Sequence, residues 1–176
     1  MDSKLKQCVG CTYGHMKNLR RDFSRYKSDY TFVRALKLYA FHPGFRTVCE
    51  FRVLAHLYST HRFRLSNLYR IRILRKYGAD FVPGATIGTG LRIEHPSGIV
   101  IGRGAVIGDD VTIMQNVTIG QKEIDLSGLG LSPQISNGVT IAAGAILVGP
   151  VHVKANVFIK TGTLLIGNSK SERDKH

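Results

Sequence analysis

The chain has 176 residues, 43% of them hydrophobic and 21% charged, which excludes a disordered class and leaves room for one domain with or without a helical appendage. Its net charge of +13 sets up a field that attracts polyanions, whether nucleic acid, anionic lipid or a multiply phosphorylated ligand. Only three cysteines are present, so no disulfide framework is implied and a reducing compartment fits.

Residues 1–14 read as a flexible N-terminus. Cys8 and Cys11 form one C-x-x-C there, but a zinc site needs a second pair or histidines at ligand spacing, and none follows closely. No charged-then-apolar leader and no apolar run of about 18 residues is visible, so a cytoplasmic protein is expected, with peripheral membrane contact left open. Residues 15–78 form a helical region. In FVRALKLYAF and FRTVCEFRVLAHLY, apolar residues recur at i, i+3 and i+4, the pattern of amphipathic helices. His42-Pro43-Gly44 should break the run between two helices, and Cys49 reads as a small core residue of the second. A last helix is expected from Leu65 to Lys76, closed by Gly78 as a C-cap. The polar faces are basic, with Arg46, Arg52, Arg62, Arg64, Arg70, Arg72, Arg75 and Lys76; such faces are either solvated or dock on anionic lipid or an anionic acceptor. Nucleic acid is not expected, because aromatic stacking platforms and recognition motifs are absent.

From Phe81 onward the sequence falls into six-residue units. Their leaders are Ile87, Ile93, Ile101, Ile107, Ile113, Ile119, Ile135, Ile141, Leu147, Val153 and Ile159. A small or β-branched residue follows four places later at Ala105, Val111, Val117, Val139, Ala145, Val151 and Val157. A period of six is neither helical nor simple strand alternation. It fits a triangular solenoid with three flat faces, each leader pointing inward and Gly, Asn or Asp at the turns. About four coils, stacked as parallel sheets about 4.8 Å apart, would span 79–167. The register breaks twice: two extra residues stand near Ile99–Val100, and about ten near 121–134, where a loop of that length suggests function. Residues 168–176 form a polar tail.

The stretch RIEHPSGIVIGRGAVIGDDVTIMQNVTIG, with the repeat around it, resembles the hexapeptide-repeat acyltransferases and, within them, the serine acetyltransferase-like group. That resemblance covers about Asp29 to Ile159 and implies a mainly β fold: a left-handed parallel β-helix after a short α-helical N-terminal region. It implies an acetyl-CoA-dependent O-acetyltransferase acting without a metal, for the fold's metal-dependent relatives would want three repeat histidines and only His95 and His152 are available. Acetyl transfer to a hydroxyl needs a base with a pKa near operating pH and a partner that orients it. The resemblance assigns the base to His95 and the partner to Asp80, fifteen residues earlier; His152 reads as a surface residue of an ordinary unit. It places Asp29 and Glu94 at acceptor-contacting positions. Coenzyme A would follow a groove between protomers of a homotrimer, against the backbone around Gly120, Ala143, Thr161 and Gly162, although ordinary repeat turns want the same small residues.

The chain departs from that group at Leu131-Ser132, where serine acetyltransferases carry Arg-His before the Pro-x-Ile that opens the next repeat. The arginine is the natural clamp for a carboxylate. Its loss turns the expectation toward a sugar hydroxyl of a capsular or other surface polysaccharide, with Ser132 at the acceptor site. Serine O-acetylation for cysteine synthesis and a non-catalytic β-helix scaffold are the alternatives.

Overall fold

The structure, a computed structural model, describes residues 15–27, 31–122 and 131–167. Cys8, Cys11, Asp29, most of the long loop and the polar tail lie outside these.

Four helices come first: α1 (His15–Ser24), α2 (Phe32–Phe41), α3 (Pro43–Ser59) and α4 (Phe63–Tyr77). The break expected at His42 is a shared cap. His42 ends α2, and its Nδ1 accepts from the Phe45 N–H to open α3, with Pro43 in the first turn. α4 begins two residues earlier than its apolar spacing suggests and ends as expected at Gly78, whose left-handed φ of 66° closes the helix. No described helix is long and apolar enough to cross a membrane.

Thirteen short strands follow, β1 (Asp80–Phe81) to β13 (Leu164–Ile166), and wind into a left-handed parallel β-helix. One face carries β1 (Asp80–Phe81), β4 (Val100–Ile101), β7 (Thr118–Gly120), β10 (Ile146–Val148) and β13. The second carries β2 (Thr86–Ile87), β5 (Val106–Ile107), β8 (Gln134–Ile135) and β11 (His152–Val153). The third carries β3 (Arg92–Ile93), β6 (Thr112–Ile113), β9 (Thr140–Ile141) and β12 (Phe158–Ile159). Four coils and one further strand result, and all eleven leaders read from the sequence are buried. Of the small residues, Ala105 to Ala145 are buried, whereas Val157 is exposed on the last coil, which no described coil covers.

Strand pairing locates both register breaks. Val100 pairs with Thr118 and Gln134 with His152, an eighteen-residue coil. Asp80 pairs with Val100, two residues more, so the first insertion falls in the turn between β3 and β4. Val106 pairs with Gln134, ten residues more, which puts the second between β7 and β8.

The helices close the open end of the first coil. Phe51, Val48 and Leu54 of α3 and Ile73 of α4 join Phe81 and the inward leaders in one apolar cluster, with the Phe51 and Phe81 rings 5.2 Å apart. Cys49, expected in the core, is only half-buried and stands as a free thiol. Arg52 departs further from the sequence reading. It is not on a solvated face: at 3% exposure it clasps the fully buried Asp22 of α1 through Nε at 2.8 Å and Nη2 at 2.9 Å. It also donates to the Ile87 and Gly88 carbonyls, while the Leu91 N–H donates to Asp22. One ion pair thereby ties α1, α3 and the first coil together.

Candidate active site

Each coil has three corners, and the one leading from the third face back to the first carries His95. In the first coil this corner runs from Glu94 to Gly98 and contains the two-residue insertion. It lies over the start of β1: the Gly98 N–H donates to the Gly78 carbonyl at 2.9 Å, and the Asp80 N–H donates to the Ile99 carbonyl at 2.8 Å. His95 projects from this turn and is exposed. Sequence spacing placed His95 and Asp80 near neighbouring coils, and the pairing of β1 with β4 brings the His95 turn against the strand that carries Asp80.

The Asp80 carboxylate itself is engaged by Arg70 of α4, with Nε at 2.5 Å and Nη2 at 2.7 Å. Among the described residues the His95 ring makes no hydrogen bond or ion pair. Glu94 forms an ion pair with Arg92 on β3.

The same corner repeats up the solenoid. The Asn116 N–H donates to the Ser97 carbonyl, Gly144 to Gln115, and Gly162 to Ala143, each at 2.9–3.0 Å. Ala143, Thr161 and Gly162 therefore stack on the edge that begins at His95. The rise from His95 to Gly162 is about 14 Å, three steps of about 4.8 Å. This edge presents turn backbone, with small residues at Ala143, Gly144 and Gly162 and the longer Gln115 and Asn116 on the second coil. Gly98 is needed here: φ is +71°, and a methyl group in its place would overlap the Asn116 side chain.

Gly120 and Ser132 sit elsewhere. They flank the long loop at the next corner, where Ser132 Oγ donates to the Arg103 carbonyl at 3.1 Å and the Gly149 N–H donates to the Gly120 carbonyl at 3.0 Å. The first face of the solenoid separates them from His95 within one chain. His152 is exposed on the second face, in a shallow groove of about 420 Å³ with Gln134, Ser136 and Asn137.

Two residues that the sequence reading did not place in the site support its first coil. The Tyr26 hydroxyl, past the end of α1, donates to the Ile93 carbonyl at 2.9 Å and accepts from the Ile93 N–H at 2.7 Å, pinning the strand that leads into Glu94 and His95. Burial pushes its phenol well above the ordinary range. Tyr26 meets His42 edge-on at 4.8 Å, and Gly44 lies so close that a methyl group there would overlap the Ile93 carbonyl. The first turn of α3 is thus pressed against the backbone that carries Glu94. Burial lowers the His42 pKa; Glu94 opposes that shift, and Arg92 and His95 reinforce it. A tyrosine near the end of one helix and the histidine of a helix break were the available signals, and both acquire meaning only once α1 and α3 are docked. Among the described residues no group of three or more His, Cys, Asp or Glu is placed to hold a metal.

No family model matches the chain. It is similar to serine acetyltransferases in both sequence and fold. The serine acetyltransferase of Buchnera aphidicola (subsp. Schizaphis graminum) is 34% identical over 125 residues, 71% of this chain and 48% of that protein. That of Escherichia coli K12 is 33% identical over 123 residues, 70% of this chain and 44% of that protein. The chain spans about half the length of the curated relatives it matches. In structure, the Vibrio cholerae serine acetyltransferase superposes with a TM-score of 0.75 at 27% identity, covering 90% of this chain and 61% of that one. The Neisseria gonorrhoeae serine acetyltransferase in complex with serine gives 0.76 at 26% identity, covering 93% and 68%.

Proposed function

From its place as a serine acetyltransferase-like hexapeptide-repeat protein, we propose that this chain is an acetyl-CoA-dependent O-acetyltransferase with His95 as its general base. The observation that carries this reading is the corner that runs from His95 through Ala143 to Thr161–Gly162, a side-chain base at the foot of a backbone-lined edge. The pantetheine arm of acetyl-CoA would lie along that edge, where Ala143, Gly144 and Gly162 let it approach the upper turns. His95 would take the acceptor's hydroxyl proton as the oxygen attacks the thioester carbonyl. The tetrahedral intermediate would then expel the thiolate, which recovers the proton from the imidazolium. Asp80, on the strand beneath the His95 turn, is the proposed orienting carboxylate, held in place by Arg70. This assignment requires an Asp80 oxygen to accept from His95 while Arg70 stays bound; a carboxylate has the lone pairs for both.

Serine is the first acceptor we propose. The relatives with the support described above are serine acetyltransferases, and one was solved with serine bound. Glu94 would contact that acceptor, as would Asp29, which lies outside the described residues. A sugar hydroxyl is the second reading, and Leu131-Ser132 is what favours it: an exposed leucine and a serine bonded to Arg103 offer no cation to a substrate carboxylate. In a homotrimer, Ser132 and Gly120 of one protomer would face the His95 corner of the next, completing a site that one chain divides between two corners. The proposed compartment is the cytoplasm, in keeping with a chain of only three cysteines and no implied disulfide framework.

Thiol release from acetyl-CoA, offered serine and capsular sugars separately, tests both readings. Turnover with serine alone supports the first and turnover with a sugar alone supports the second. No turnover with either, in a protein that still binds acetyl-CoA, would favour a non-catalytic scaffold.

A further inference from the structure

We propose that the outer faces of α2 and α4 dock onto an anionic lipid surface. None of the α2 residues is buried. Only Ala35 and Leu38 are half-buried against the rest of the molecule, leaving Phe32 at 77% exposure, Val33 at 60%, Leu36 at 58% and Phe41 at 85%. On α4 the inward residues are Ser66 and Ile73. The opposite side of that helix carries Arg64, Leu68, Ile71 and Arg75, spaced four, three and four residues apart as one continuous stripe, with Leu68 at 61% and Ile71 at 45% exposure. Arg72 of α4 lies within electrostatic reach of Tyr39 of α2, and both helices pack on α3.

The charge on these helices has one sign. Between Thr31 and Ala79 there are ten Lys and Arg residues and a single acid, Glu50. Glu50 is buried and already bonded by Arg72, Lys76 and Tyr77. Arg52 and Arg70 are likewise taken by Asp22 and Asp80, and among the described residues no ion pair answers Lys37, Arg64 or Arg75. A second copy pressed face to face would oppose like charges without a partner for either. Nucleic acid would neutralise the arginines but leave the Phe32, Leu36, Phe41 and Leu68 side chains without an apolar counterpart. An anionic bilayer satisfies both: lipid phosphates take the cations, and the interfacial region takes the aromatic and aliphatic rows. Docking by these helices is independent of the chemistry at His95.

Cosedimentation of the full chain with vesicles tests this directly, using phosphatidylcholine alone and phosphatidylcholine mixed with phosphatidylglycerol at low and high salt. Binding only to the anionic vesicles, weakened by salt, is expected. The charge variant Lys37→Glu/Arg75→Glu should lower partitioning by about tenfold or more. The apolar variant Leu36→Ser/Leu68→Ser should weaken it as well. All four positions are exposed, so both variants should melt and turn over acetyl-CoA like the parent. Failure to bind anionic vesicles, equal binding to uncharged ones, or binding indifferent to both variants would overturn the proposal. So would a fall in subunit number caused by Leu36→Ser/Leu68→Ser, which would make the face a contact between copies, or tighter binding to duplex DNA than to the vesicles.

Discussion

Replacing Arg52 with methionine should cost the fold about 3–5 kcal/mol, the usual penalty for breaking a buried ion pair on one side. The structure points to the upper half of that range. Methionine leaves the fully buried Asp22 with only the Leu91 N–H as a partner, and it strips the Ile87 and Gly88 carbonyls of the guanidinium that satisfies them. Each orphaned acceptor costs about 1–3 kcal/mol, though the penalties do not add in full because water and local shifts recover part of them. For a chain of this length about 2–4 °C is lost per kcal/mol, so melting should fall by roughly 6–20 °C. Circular dichroism melting of the parent, Arg52→Met and Asp22→Leu/Arg52→Met measures it. The double variant should recover a substantial part of the loss, because it removes the stranded charge. Arg52→Met melting within about 2 °C of the parent would refute the assignment of this pair as the clasp between α1, α3 and the first coil.

Other positions give sharp signs. Gly44→Ala would ordinarily favour a helix by about 1 kcal/mol, but here the added methyl meets the Ile93 carbonyl. It should therefore destabilise by about 1–3 kcal/mol and lower thiol release together; a higher melting temperature would show that α3 is not pressed on β3. Burial by itself would raise the Glu50 pKa, yet hydrogen bonds from Arg72, Lys76 and Tyr77 hold it below the ordinary 4.5. Its stabilisation is complete above pH 4.5 and is lost as pH falls through the lower folded value, so Glu50→Gln should flatten the acid limb of the stability profile between those limits. His42 is lowered from 6.5 chiefly by burial, and its Nδ1 must stay unprotonated to cap α3. Stability from this cap is full above pH 6.5 and declines as pH drops through the folded value; NMR titration of His42 should show the depressed midpoint, and His42→Asn should keep the cap without that pH dependence.

The solenoid was legible because its determinants are local and periodic. Every leader from Ile87 to Ile159 faces the interior, and both insertions fall where the six-residue count slipped. Ala143 and Thr161–Gly162 were named with His95 through the resemblance, and the eighteen-residue coils stack them on one corner once the insertions are subtracted. The helical cap was read less well. Spacing located α2, α3 and α4, but a basic stripe does not say which arginines turn inward. Arg52 meets Asp22 thirty residues away, and Arg70 meets Asp80 across the helix–solenoid junction. Tyr26 bonds Ile93 across 67 residues of sequence, a contact that no local pattern encodes. Gly120 and Ser132 were grouped with His95 by resemblance, and one chain holds them at a different corner.

The most direct test of the account is thiol release from acetyl-CoA by the parent and by His95→Ala, with serine as acceptor and with both proteins checked for the same melting temperature. General base catalysis contributes about 10²–10⁴-fold, so the variant should lose at least about 100-fold in kcat with little change in acetyl-CoA binding. Equal rates in the two proteins would contradict the account and remove His95 as the base.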